Sequence, residues 1–309
     1  MIAFTSPFLR YSFYIISLFI MSGVISPVFS DSYEDRGNGI VFEKETGLFW
    51  QKCQAGLSGE DCSIGESHME MAWEDTHEYC KKLKLGGRTW RMPERIELSL
   101  LVTRSQSSQP AIDTRYFPNT KTFTFWTGTE YAFYKNQAWN IGFNDGHIGR
   151  QDKGSTYAVR CVSGVLRTPK FAKNKDGTVV DKEHKLVWQE CTKGRSGLDC
   201  KKGRETFQTW QEADQYCNQL KLSNRNWRLP EITELELLID FKKESSPPVD
   251  EKFFPNTNST MESVGDGYWS RTTPVLYKNN RYYLSFFLGS VGLKQFTEKT
   301  SYVRCVSEF

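Results

Sequence analysis

Apolar positions along the chain change period in a fixed order, and the order occurs twice. Ile40-Val41-Phe42 and Leu48-Phe49-Trp50 are short β-branched and aromatic runs around the polar 43–47 segment, which predicts a hairpin. Thr178-Val179-Val180 and Leu186-Val187-Trp188 flank residues 181–185 in the same way. The period then lengthens to that of a helix. Trp73, Thr76, Cys80 and Leu83 share one face, as do Trp210, Ala213, Cys217 and Leu220, with Thr209 suited to the N-cap. A second helix is expected to open at Trp-Arg-x-Pro. Pro93 and Pro230 take its first position, Glu94 and Glu231 favour its dipole, and Leu98, Leu101, Val102 or Leu235, Leu238, Ile239 form its apolar stripe. Polar stretches at 103–113 and 241–250 follow, and short aromatic strands close each round: 125–127, 138–143 and 158–162, then 268–270, 282–287 and 302–306. Two helices, a small antiparallel sheet and long loops predict an α+β module.

The two rounds are copies of one unit. Trp50-Gln51-Lys52-Cys53, Trp90-Arg91-Met92-Pro93 and Val159-Arg160-Cys161-Val162-Ser163 return as Trp188-Gln189-Glu190-Cys191, Trp227-Arg228-Leu229-Pro230 and Val303-Arg304-Cys305-Val306-Ser307. The expected organisation is a leader at 1–30, one copy at 31–163, a basic, proline-containing linker at 164–175 and a second copy at 176–309. Residues kept in both copies serve the shared fold; a function belonging to one copy is sought among the rest.

The leader is a different material. Arg10 is the only charge before Asp31, an apolar run follows at 11–20, and Val28-Phe29-Ser30 suits signal peptidase. The expectation is export to the periplasm, the medium or the outer cell surface, with no stable membrane span after cleavage. An uncleaved anchor is the alternative, the apolar stretch being close to the ~20 residues a span needs.

Export decides how the eight cysteines are read. An even number at repeated spacing in an oxidising compartment is a disulfide framework. Four cysteines allow three pairings per copy, and sequence does not choose among them. Spacing favours a local bridge for Cys53 with Cys62 and for Cys191 with Cys200, leaving Cys80 for Cys161 and Cys217 for Cys305. No Cys-x-x-Cys occurs and no histidine recurs between copies, so no metal or cofactor is expected.

The ordered motifs resemble the Legionella collagen-like (Lcl) C-terminal domain family: Gly-x-Val with a following Leu-x-Trp, a helix ending in Cys, Trp-Arg-Leu-Pro-x-x-x-Glu-Leu, Phe-Pro-Asn-Thr, Tyr-Trp-Ser and a terminal Val-Arg-Cys-Val. The match covers nearly all of both copies. The resemblance implies a fold similar to C-type lectins and formylglycine-generating enzymes, with a long loop region that carries ligands in relatives. It also implies that a bridge from the first helix to the last strand is similar to one in C-type lectins.

Catalytic chemistry finds little support. His68, His77, His147 and His184 face Glu205, Asp214, Val291 and Thr46 in the other copy, so none belongs to a shared constellation. Glu97 and Glu234 recur but suit a surface or cap-supporting role, and Arg91, Arg228, Arg160 and Arg304 read as structural donors. Trp139-Asn140 followed by Asn144-Asp145-Gly146 hints at a lectin calcium site, although Asn-Asp-Gly is first a hairpin turn. Trp50, Trp73, Trp90 and Trp126 recur and belong to the core, which leaves Trp139, with Tyr283 opposite it, as the candidate sugar-stacking platform.

Composition separates the copies more sharply than motif does. The chain is 38% hydrophobic and 25% charged with a net charge of +3, which disfavours disorder and nucleic-acid binding. Yet residues 31–166 carry 16 Lys and Arg against 18 Asp and Glu, and residues 167–309 carry 23 against 19. Lys193, Arg195, Lys201, Lys202 and Arg204 gather around the second short Cys pair. A solvated face is the ordinary explanation; the functional one is a basic loop for sulfated or phosphorylated polymers. The expectation is therefore a non-catalytic binding or adhesion protein of two tandem C-type-lectin-like modules, with an anionic polysaccharide as ligand. A structural envelope component that binds protein partners is the alternative, and an enzyme related to formylglycine-generating enzymes is the third reading.

Overall fold

A computed structural model describes residues 32–309 apart from 69, 105–108, 245, 260–266, 275–276 and 288; the expected leader lies outside the described residues. Residues from Ser32 onward form one compact unit that contains both copies.

The first copy opens with β1 (Tyr33–Asp35), β2 (Ile40–Glu43) and β3 (Phe49–Gln51), which pair in order and receive β9 (Val162–Ser163) on the far edge. Between β3 and β9 lie the ribbon of β4 (Leu57–Ser58) and β5 (Ile64–Gly65), helices α1 (Trp73–Lys82) and α2 (Arg95–Leu100), and a sheet of β6 (Thr124–Glu130), β7 (Gln137–Gly142) and β8 (Ile148–Asp152). The second copy repeats the plan. Strands β10 (Phe171–Lys173), β11 (Thr178–Asp181) and β12 (Leu186–Gln189) end on β19 (Val306–Glu308). The ribbon β13 (Arg195–Ser196) and β14 (Lys202–Gly203), helices α3 (Trp210–Gln219) and α4 (Ile232–Glu236), and the sheet of β15 (Gly267–Trp269), β16 (Asn280–Ser285), β17 (Ser290–Gln295) and β18 (Ser301–Tyr302) lie between. Strand β10 falls inside the stretch expected to be a linker.

Many individual elements stand where hydropathy places them, but the fold class does not. Among the described residues the helices are four segments of 10, 6, 10 and 5 residues. The remaining regular structure is mostly small antiparallel sheets, with β15 and β18 paired in parallel, arranged like a four-bladed β-propeller. The α+β, two-helix C-type-lectin-like module is thereby corrected. The physical reason is length: helices of three turns or fewer cannot form a covering layer, so each core closes mainly between sheets. Val41 and Trp50 from one sheet, with Leu48 from the turn between β2 and β3, meet Phe125, Trp139 and Ile141 from the other, with Leu98 of α2 at their side.

The four disulfides are Cys53–Cys62, Cys80–Cys161, Cys191–Cys200 and Cys217–Cys305, and among the described residues no cysteine is free. The long bridge ties the buried face of α1 or α3 to the backbone just before β9 or β19. The short one closes each two-stranded ribbon. Glycine is required there: Gly194 and Gly203 cross with positive φ, and a Cβ on either would collide with backbone oxygen, as at Gly56 and Gly65.

The two copies meet along a seam. Counted along the second helix, Arg95, Ser99 and Arg104 correspond to Ile232, Glu236 and Phe241. Corresponding positions face one another: Ser99 Oγ donates to Glu236 Oε2 at 2.8 Å, and Arg95 Nη1 lies 3.2 Å from Glu236 Oε1. Arg104 Nη2 donates to Ser99 Oγ at 2.8 Å and lies 3.6 Å from Glu236. Arg95 and Glu236 are wholly buried. Arg95 also donates to Gly289 O at 2.9 Å and stacks over Trp139 and Phe241. Burial draws its guanidinium down to about 10 despite Glu236, so it is charged at neutral pH.

Candidate functional site

The basic residues of the second copy converge on one ribbon, but not all keep a free charge. In the β13–β14 pair Arg195 stands opposite Gly203 and Ser196 opposite Lys202. Arg195 is engaged by Glu205, whose hydrogen bond holds that carboxyl below the usual glutamate range while Asn258 Nδ2 donates to its other oxygen at 3.2 Å. Lys193 leans over the Tyr216 ring, with Nζ 5.2 Å from the centroid. Lys201 reaches Asp199 at 3.5 Å with three-quarters of its side chain exposed, while Lys202 and Arg204 are exposed. The display is thus three solvent-facing cations on a disulfide-closed ribbon. The matching positions of the first copy are Ser63, Ile64 and Glu66, so only one ribbon is basic.

Beside this ribbon lies a groove of about 740 Å³ lined by Lys173, Lys175, Glu190 and the exposed Leu198. A groove of about 760 Å³ takes the same place in the first copy. The two share an ion pair of reversed sign: Lys52 binds Asp35 at 2.7 Å, and at the equivalent positions Glu190 binds Lys173 at 2.6 Å. The swap keeps the contact and inverts the groove-facing charges.

The expected platform is corrected on two counts. Trp139 is 2% exposed, packed edge-on against Tyr131 and Phe241 beneath Arg95, and presents no face to a sugar. Tyr283 is not its counterpart. Trp126 pairs with Asn140 and Trp269 with Tyr283, so the register sets Tyr283 against Asn140 and Tyr282 against Trp139. Tyr283 is half-buried under Lys294, 4.2 Å from the ring centroid. The Asn144-Asp145-Gly146 segment is the turn from β7 to β8, with Asp145 Oδ1 accepting the His147 amide at 2.9 Å. Among the described residues no cluster of three or more His, Cys, Asp or Glu could hold a metal.

Charges common to both copies serve the fold. Glu97 and Glu234 close capping boxes with Glu94 and Glu231, and each binds an arginine bidentately: Arg91 at 2.6 and 2.7 Å, Arg228 at 2.8 Å twice. Glu97 is buried, not a surface group. Arg160 and Arg304 are buried and bond backbone carbonyls or threonine hydroxyls; burial lowers Arg160 to about 9. Among the described residues no helix is long and apolar enough to cross a membrane.

The sequence model of the Lcl C-terminal domain matches residues 39–163 and again 177–307. No curated protein matches the chain. The two matches span most of the chain and repeat the disulfides, capping boxes and ribbons described above. The chain belongs to the Lcl C-terminal domain family and carries the domain in two tandem copies.

Proposed function

We propose that this protein is an exported, non-catalytic binding protein of the cell envelope that holds an anionic polysaccharide on the β13–β14 ribbon. Family membership is consistent with a non-enzymatic, adhesion-type envelope protein. The four disulfides suggest an oxidising, extracytoplasmic environment. The observation that carries the ligand class is the exposure of Lys201, Lys202 and Arg204 on a ribbon whose counterpart has none of these charges. A ribbon closed by Cys191–Cys200 presents its cations without ordering a long loop, which lowers the entropic cost of binding. No nucleic-acid partner is proposed, since the charge is confined to one small element.

Heparin serves as the probe polyanion. The purified exported protein is expected to be retained on immobilised heparin at low salt and released as ionic strength rises. Reversing all three charges, Lys201→Glu, Lys202→Glu and Arg204→Glu, should weaken binding roughly tenfold or more, at about 0.2–1 kcal/mol per exposed pair. Retention that ignores the triple reversal sinks the proposal. Failure to bind heparin and other acidic glycans, with protein partners recovered by crosslinking in cells, would point to a structural envelope component instead.

A further inference from the structure

The seam between the copies ends in a cleft of about 250 Å³ whose wall and rim come from both. The first copy contributes Arg104, Gln109, Asp145 and His147, and the second contributes Tyr277 and Tyr282. At the other end of the seam the position of Arg104 is held by Phe241, which packs on Trp139 with ring centroids 6.0 Å apart. There too Gly289, the counterpart of Gly146, lies against Ile239 and Phe241. One end is therefore sealed by apolar side chains, and the other is polar and open.

Three features give this cleft a chemistry. Tyr282 lines the cleft with its ring packed away and 7% of its surface exposed. Burial raises its hydroxyl above the ordinary tyrosine range, the nearby Asp145 carboxylate adds to the rise and Arg104 opposes it, so the group stays a donor. Tyr277 is 54% exposed and offers a ring at the mouth. The Arg104 guanidinium is committed to Ser99 and Glu236, while Asp145 is exposed at the rim. That balance disfavours an anionic ligand and suits a compact, uncharged one rich in hydroxyls. The volume is just under the roughly 300 Å³ at which clefts for drug-sized ligands begin.

We infer that this cleft binds a single uncharged pyranose residue, its apolar face on Tyr277 and its hydroxyls bonded to Asp145, Gln109 and the Tyr282 hydroxyl. The site is separate from the basic ribbon and stands whether or not that ribbon binds polyanions. It exists only where two copies meet, so neither copy alone could form it.

Saturation-transfer NMR on the purified exported protein tests this with the methyl glycosides of glucose, galactose, mannose and N-acetylglucosamine at millimolar concentration. At least one sugar is expected to bind, equally well at low and high salt. Tyr277→Ala should weaken that binding about fivefold or more, and Tyr282→Phe, which keeps the ring and removes one hydrogen bond, about five- to tenfold. Lys202→Glu should leave it unchanged, and circular dichroism confirms that each variant is folded. Silence from all four sugars, or binding that survives both tyrosine changes, overturns the inference, as does loss of sugar binding in Lys202→Glu.

Discussion

Glu43 and Asp181 hold the same position in the two opening hairpins, and one methylene divides their chemistry. Glu43 accepts from Trp50 Nε1 at 2.9 Å and Thr46 Oγ1 at 2.8 Å; burial nevertheless pushes its carboxyl upward, against both hydrogen bonds. Asp181 does not reach the matching tryptophan, and Trp188 Nε1 is buried without a partner. It turns instead to His184 Nδ1 at 2.7 Å and to the amides of Lys170 and Glu183 at 3.1 and 3.0 Å. Burial alone would raise Asp181; these donors outweigh it and hold the carboxyl below 3.8. A depressed folded value means that the stabilisation is present above the unfolded value and lost as pH falls through the folded one. Asp181→Asn should therefore cost ~1–2 kcal/mol near pH 5 to 6, with the gap to wild type closing below about pH 4. Urea midpoints across that range measure it, and a gap that widens on acidification contradicts the assignment.

At the scale of elements, what sequence reveals depends on how local the cause is. Thr209 caps α3 as expected, with Glu212 completing the box. Helices α2 and α4 begin at Arg95 and Ile232, two residues beyond the prolines expected to open them. Pro93 and Pro230 precede the N-cap because their carbonyls accept from Gly128 at 2.7 Å and Arg271 at 2.8 Å, neighbours that no helix rule foresees. Glu94 and Glu231 are the caps. Strand β8 carries no such signal: Ile148-Gly149-Arg150-Gln151-Asp152 lacks a β signature and is held by its ladder to β7. The disulfides were legible because the repeat supplies each spacing twice. They also differ in expected weight. Loops of 9 residues in the ribbons and 81 or 88 across the cores correspond to roughly 2.6 and 4.5 kcal/mol of unfolded-state entropy. Replacing Cys217 and Cys305 by serine should lower the unfolding free energy more than replacing Cys191 and Cys200. The second change should still loosen the basic ribbon and weaken heparin retention. Equal losses in chemical denaturation would show that native-state strain or residual unfolded structure dominates.

Over the whole molecule, comparing the repeats points away from the residues that join them. Arg95 and Ile232, like Ser99 and Glu236, differ between copies and look like drift, yet together they build the seam. Trp139 resembled a surface platform because its covering residue, Phe241, lies far along the chain in the other copy. Two arginines share one carboxylate there, with Gly289 O and two aromatic rings taking up part of the remaining charge. A buried pair is weak evidence of net stability, but breaking one costs about 3–5 kcal/mol because a charge is left uncompensated. Glu236→Gln should incur a loss of that order. Since the stranded arginines belong to the first copy and the substitution to the second, hydrogen exchange should rise in parallel in β2–β3 and β11–β12. Replacing Arg95, Arg104 and Glu236 together by leucine should recover most of the loss, because no charge then lies buried. Faster exchange confined to the second copy would mean that the copies unfold independently and that the seam is a contact without energetic coupling.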